Sequence, residues 1–134
     1  MQKCAPFIIL LLTNFVIGLE DEERGGAALA TIIKENTYIK NLDLSKNFLG
    51  DLIAEKITGA LKVNLKMKRL SLNENDFGEI GGYHLGIGIG ANESLEYVNL
   101  NYNKIRGKGA IAIAAALKVN ISLTELDLGW NGFS

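Results

Sequence analysis

One cysteine, Cys4, stands in the 134 residues. A lone thiol excludes an internal disulfide and any metal site built from several thiolates, and leaves the redox compartment open. One histidine, His84, leaves carboxylates such as Asp43, Glu125 and Asp127 without the His or Cys companions of a transition-metal centre. No cofactor is expected. Excess charge is missing as well, since 14 Lys and Arg offset 15 Asp and Glu for a net −1. Nucleic-acid binding needs a clustered basic surplus, so that class is set aside, and lysines such as Lys34, Lys62 and Lys118 read as a solvated rim. Nor is there an apolar run of the ~20 residues that a membrane helix needs. The stretch Phe7 to Leu12 is short and is broken by Thr13 and Asn14.

What the chain has instead is register. Ile39-x-x-Leu42-x-Leu44-x-x-Asn47-x-Leu49 is followed by Met67-x-x-Leu70-x-Leu72-x-x-Asn75-x-Phe77. Leu95-x-x-Val98-x-Leu100-x-x-Asn103-x-Ile105 and Leu123-x-x-Leu126-x-Leu128-x-x-Asn131-x-Phe133 complete the set. The asparagine spacings (75−47, 103−75, 131−103) are 28 each time. A fixed period of this length means stacked units, each burying its apolar edge only against its neighbours.

A second half lies between the motifs, best seen in Gly109 to Asn120 and matched by Gly25 to Asn36, Ile53 to Asn64 and Gly81 to Asn92. Ala110, Ile113, Ala114 and Leu117 have the i, i+3, i+4, i+7 spacing of an amphipathic helix. Each unit is therefore strand, turn, helix. Asn36, Asn64, Asn92 and Asn120 are expected to close the helices in the left-handed conformation that Asn tolerates. The strand-end column Asn47, Asn75, Asn103 and Asn131 is expected to satisfy buried backbone groups from turn to turn, because an amide both donates and accepts.

The run Leu-x-Leu-x-x-Asn, followed by Gly-Ala-x-Ala-x-Ala-x-Ala-Leu-Lys-x-Asn at this period, resembles the ribonuclease-inhibitor-like class of leucine-rich repeats. The same class supplies repeat domains of NOD-like receptors and the body of Ran GTPase-activating proteins. The resemblance covers residues 25–134. It implies an α/β solenoid, a right-handed horseshoe with parallel strands on the concave face and helices on the convex face. One scaffold of this kind carries many partners, so it does not by itself assign a function.

Three stretches depart from the rule. Residues 1–18 lie outside the repeat and have two open readings. They form either a secretory signal ending near Gly18, which implies secretion, or a strand around Leu10-x-Leu12 that caps a cytoplasmic module. Glu20 to Arg24 reads as an acidic link into the first helix of a repeat domain spanning 19–134. The third helix carries Gly82, Gly86, Gly88 and Gly90 where the fourth has Ala110, Ala114, Ala116 and Lys118. Glycine in a helix costs about 0.5–1 kcal/mol relative to alanine, so these read as small residues under a crowded helix or as the mark of a decaying repeat, and this helix is expected to be the least protected from hydrogen exchange. Gly86 to Gly90 follows no strand and lacks the Lys-Ser/Thr of a phosphate loop, so nucleotide binding is not expected. The chain stops at Ser134 with no helix over Leu126 and Leu128. Solenoid ends ordinarily carry polar caps, so the domain is expected to be incomplete there, with its strand edge open to end-to-end self-association.

Catalysis finds little footing, because His84 falls at an expected surface position of a helix. Asn92-Glu93-Ser94 and Asn120-Ile121-Ser122 match a glycosylation acceptor but share one repeat position, which makes repeat consensus the simpler reading. The concave face carries the informative residues. Alternation along the strands points Asn41, Asp43, Ser45 and Lys46 outward, then Arg69, Ser71, Asn73 and Glu74. Tyr97, Asn99, Asn101 and Tyr102 form the third row, and Glu125, Asp127, Gly129 and Trp130 the fourth. Exposed Tyr and Trp are enriched in protein interfaces. The expectation is a non-enzymatic module that binds a protein partner here. Tyr97, Tyr102 and Trp130 supply affinity, and Asp43, Lys46, Arg69, Glu74, Glu125 and Asp127 supply selectivity. The alternatives are an activator of a small GTPase, by resemblance to the Ran activators, and a truncated copy without independent activity.

Overall fold

The structure, a computed structural model, describes residues 8–11 and 22–133. The expectations on Cys4 and on a cleavage point near Gly18 lie outside the described residues, as do Glu20 and Asp21 of the acidic link, whereas Glu22, Glu23 and Arg24 open helix α1 instead of linking into it. Strands and helices alternate along the chain. They are β1 (Ile8–Leu11), α1 (Glu22–Glu35), β2 (Ile39–Asp43), α2 (Asp51–Leu61), β3 (Arg69–Ser71), α3 (Glu79–Ala91), β4 (Tyr97–Asn99), α4 (Gly107–Val119) and β5 (Glu125–Asp127). The five strands form one parallel sheet in sequential order. Leu42, Leu70, Val98 and Leu126 are direct neighbours across it, as the 28-residue register requires. β1 adds at the other edge, with Leu10 beside Leu42. This is the expected α/β leucine-rich-repeat solenoid. No helix among the described residues is long and apolar enough to cross a membrane.

The core is a line between sheet and helices. Leu42, Leu44, Leu49, Leu70, Leu72, Phe77, Val98, Leu100 and Ile105 from the motifs meet Ile33, Ile57, Leu85 and Ile113 from the helices. Burying each such side chain contributes about 1.5–3 kcal/mol. Leu123, Leu126 and Leu128 are only partly buried, because among the described residues no further helix lies over them.

Two columns of asparagine stitch the units together. In the turn column, the Asn75 Oδ1 accepts the N–H of Asn47 and of Leu49, both at 3.0 Å. Its Nδ2 donates to the carbonyls of Leu44 (3.1 Å) and Leu72 (3.0 Å). Asn103 does the same for Phe77 N–H, Leu72 O and Leu100 O, and Asn131 for Ile105 N–H and Leu100 O. The structural role expected of this column is what the geometry shows.

The helix-end column differs from expectation. Asn92 (φ −74, ψ 136) and Asn120 (φ −68, ψ 135) are extended, not left-handed. Their side chains close the helices instead. The Asn92 Oδ1 accepts the N–H of Ser94 and Leu95, while its Nδ2 donates to Leu61 O (2.8 Å) and Asn64 O (2.9 Å) of the preceding unit. Asn120 repeats the pattern onto Ile89 O and Asn92 O. With both amide hydrogens of each residue in use, the two acceptor-like tripeptides are explained as repeat geometry. The non-glycine left-handed positions fall elsewhere, at Lys46, Glu74, Tyr102 and Trp130, with Phe48 two residues beyond the first of them.

The glycines of α3 sit at crowded contacts. A Cβ on Gly86 would stand 2.7 Å from the backbone carbonyl carbon of Ala112 in α4, and one on Gly88 would stand 3.1 Å from Thr58 Cα in α2. α3 is thus wedged between helices whose backbones come closer than an alanine row allows. First-turn carboxylates add a further tie between units. Asp51 accepts the Gly78 N–H at 2.7 Å, and Glu79 accepts the Lys108 N–H at 2.9 Å. In each case the acid at the start of one helix caps the start of the next, where no side chain of that helix's own cap residue does so.

Candidate protein interface

Each turn after a strand needs one residue at positive φ, and this places a side chain at the rim of the strand face. Those residues are Lys46, Glu74, Tyr102 and Trp130, with φ of 55–57. Outside glycine, such a conformation costs on the order of 1–3 kcal/mol. The rings of Tyr102 and Trp130 stack at 5.5 Å between centroids and 9° between planes. They remain 51% and 75% exposed, which makes them a flat apolar platform already assembled in the unbound protein.

A second group forms on the strands themselves. The Arg69 guanidinium lies 4.0 Å from the centre of the Tyr97 ring, and the Tyr97 hydroxyl donates to Asp127 Oδ2 at 2.8 Å. The chain Arg69–Tyr97–Asp127 therefore crosses β3, β4 and β5. Burial raises the Tyr97 pKa above the ordinary 10.0; its hydrogen bond to Asp127 and that residue's negative charge raise it further, against a smaller opposing effect of Arg69. Nearby, Lys68 approaches Glu96 at 4.0 Å.

The residues expected to bind a partner are thus divided. Arg69, Tyr97 and Asp127 come together, as do Tyr102 and Trp130, and Glu125 is exposed on the same β5 strand as Asp127. Glu74 and Lys46 occupy the rim column on earlier units, and Asp43 holds the Ser45 N–H through Oδ1 at 2.9 Å. Ser45 itself is 5% exposed and is withdrawn from the outward row, unlike Asn73, Asn101 and Gly129 at the same repeat position. His84 is half-buried rather than exposed, edge-on to Tyr83 at 5.7 Å between centroids. Among the described residues, no His, Cys, Asp and Glu side chains gather as a metal site requires.

One surface was missed in the sequence reading. The convex side carries an apolar groove of about 640 Å³ between α3 and α4, lined by Tyr83, Gly86, Ile87, Ile111, Ala115 and Val119 among others. Its signal was the scarcity of charge, since no Asp, Glu, Lys or Arg falls within 80–91 or 109–117 and Lys108 alone brings a charge to its lining.

Comparison with known proteins agrees with this architecture. The family model described as Leucine Rich repeat matches residues 35–57, 91–114 and 119–134. No curated protein matches the chain by sequence. Among solved structures, one titled "Leiomodin-1 Actin-Binding Site 2 (ABS2)" superposes with a TM-score of 0.76 at 23% identity, covering 90% of this chain and 69% of that one. The tropomodulin C-terminal domain of Caenorhabditis elegans superposes at 0.75 with 12% identity, covering 91% and 73%. At such identities the likeness speaks for the fold. With the period, the in-register motifs, the parallel sheet and the asparagine ladders in place, the chain has the leucine-rich-repeat fold, in the arrangement of the ribonuclease-inhibitor-like class.

Proposed function

We propose that the chain is a non-enzymatic module that binds a protein partner on its concave strand face, with Tyr102 and Trp130 as the anchor. The observation that carries this reading is the stacked pair, coplanar within 9° and largely exposed. Large rigid aromatics bury much surface at little entropic cost, and stacking has already fixed their rotamers. Around them Tyr97, Arg69, Asp127, Glu125 and Glu74 supply orientation, and Asp43 and Lys46 extend the surface toward the first unit. The leiomodin-1 structure is titled as an actin-binding site, which makes purified actin a natural first partner to assay. Small-GTPase activation has no observation in its favour, since the strand arginine Arg69 is laid on Tyr97.

The test is selection of binders from a displayed peptide library on the immobilised chain, followed by affinity measurement on the Trp130→Ala, Tyr102→Ala double variant. Loss of about 2–4 kcal/mol of binding is expected, with the unfolding free energy changed by no more than about 0.5 kcal/mol. Binders that hold the double variant as tightly as the parent chain overturn the proposal.

A further inference from the structure

The concave face is electrically lopsided. Residues 40–47 carry Lys40 and Lys46 against Asp43, and residues 68–75 carry Lys68 and Arg69 against Glu74, so each row is net positive. Residues 96–103 carry Glu96 alone, and residues 124–131 carry Glu125 and Asp127, with no Lys or Arg in either. The seam between the halves is closed internally. Arg69 reaches over Tyr97, and Lys68 faces Glu96. Beyond the seam lie the exposed carboxylate of Glu125 and the open faces of Tyr102 and Trp130.

We infer that this β4–β5 half of the concave face takes an extended basic segment of the partner, bearing arginine or lysine. The inference rests on the concave-face reading above and adds the chemistry of the partner. Two features select cations together. A guanidinium or ammonium over a Trp or Tyr face is attracted by the ring's quadrupole, and carboxylates at the rim complete the pairing. The molecule already shows one such contact within itself, with Arg69 seated on Tyr97 and that ring tied to Asp127. The second aromatic site, the Tyr102–Trp130 stack, presents the same chemistry outward. Trp130 lies five positions after Glu125, a reach of at most about 17 Å at ~3.3 Å per residue. A segment lying along β5 therefore meets both with cations roughly three to five residues apart. An acidic segment fits the opposite half, on Lys46 and Arg69, and is the rival outcome.

Trp130 is the one tryptophan of the chain, so its emission reports directly on this site. Three short synthetic peptides of equal length, differing only in two spaced positions occupied by Arg, Gln or Glu, are titrated into the full chain. The Arg peptide is expected to change the emission saturably, and the Gln and Glu peptides are not. Its Kd is expected to rise roughly ten-fold on Glu125→Gln, and to rise with added salt. Circular dichroism checks that this exposed-site variant stays folded. Equal or tighter binding of the Glu peptide, no response to the Arg peptide, or an Arg affinity indifferent to Glu125→Gln each overturns the inference. Library binders that need Tyr102 and Trp130 but carry no cations would sink it while leaving the interface reading intact. Binders that ignore both rings would sink the interface reading itself.

Discussion

Residues 74 and 75 are adjacent in the chain and opposite in environment, and so are 46 and 47, 102 and 103, 130 and 131. The second of each pair is always asparagine, turned into the stack; Asn75, Asn103 and Asn131 bond the backbone of the preceding unit, and Asn47 that of its own turn. The first is Lys, Glu, Tyr or Trp, turned outward at positive φ. The repeat tolerates one side chain at the inner position, because only an amide meets the donors and acceptors there. At the outer position it fixes a backbone angle and leaves the side chain open. Within one chain, then, constancy marks what holds the fold, and variation marks where the fold leaves the side chain free.

The largest effect should come from exchanging that contrast for a measurement. Asn75→Ala orphans the N–H groups of Asn47 and Leu49 and should cost ~3 kcal/mol or more. The adjoining Glu74→Ala should stay within about 0.5 kcal/mol. Urea unfolding of both decides it, and similar losses would break the comparison. A second pair carries it into the helical layer. Gly86→Ala places a Cβ 2.7 Å from the Ala112 backbone and should destabilise by about 1–3 kcal/mol, against its gain in helix propensity. Gly59 in α2 has nothing within 4 Å of its added Cβ, so Gly59→Ala should stabilise by about 0.5–1 kcal/mol. Thermal midpoints shifting in opposite directions are the expected result.

Smaller again is Lys46→Asn, which gives the left-handed position (φ 57) a residue suited to it. A gain of a few tenths of a kcal/mol, up to about 1, is expected in the same urea assay. The smallest effect is confined to alkaline solution. Because the folded chain holds the Tyr97 proton above the ordinary 10.0, its contribution is fully present below that pH and fades as pH rises through the higher folded value. Asp127→Asn should lower the phenol titration measured by ultraviolet absorbance, bringing it nearer to normal without removing the part due to burial.

The spacing of Leu42, Leu70, Val98 and Leu126 made the sheet register legible, and the amide column at Asn75 and Asn103 made the turn chemistry legible. Both follow from a fixed period and a residue with one fitting use. The left-handed positions were not legible, since they are filled by Lys46, Glu74, Tyr102 and Trp130, none of which favours that region. Asn92 and Asn120 look suited to it but are held extended by bonds reaching back one unit. The crowding at Gly86 depends on how near α4 comes, a distance no single helix encodes. The outward rows were read from alternation, which found Tyr97 and Trp130 on one face. It could not show that Arg69 lies on Tyr97 or that the rings at 102 and 130 lie parallel.

The side-chain amides of Asn64, Asn92 and Asn120 each donate to a carbonyl 31 residues earlier, at Ile33, Leu61 and Ile89. Such bonds turn the polypeptide into something countable. Excising a stretch of 28 residues between equivalent points hands each donor at the cut a chemically equivalent acceptor, whereas excising one more or one fewer from within a strand or helix misaligns the bonds that span the cut. Length changes within the strands and helices of this protein are therefore expected to be quantised, tolerated in whole steps of one unit.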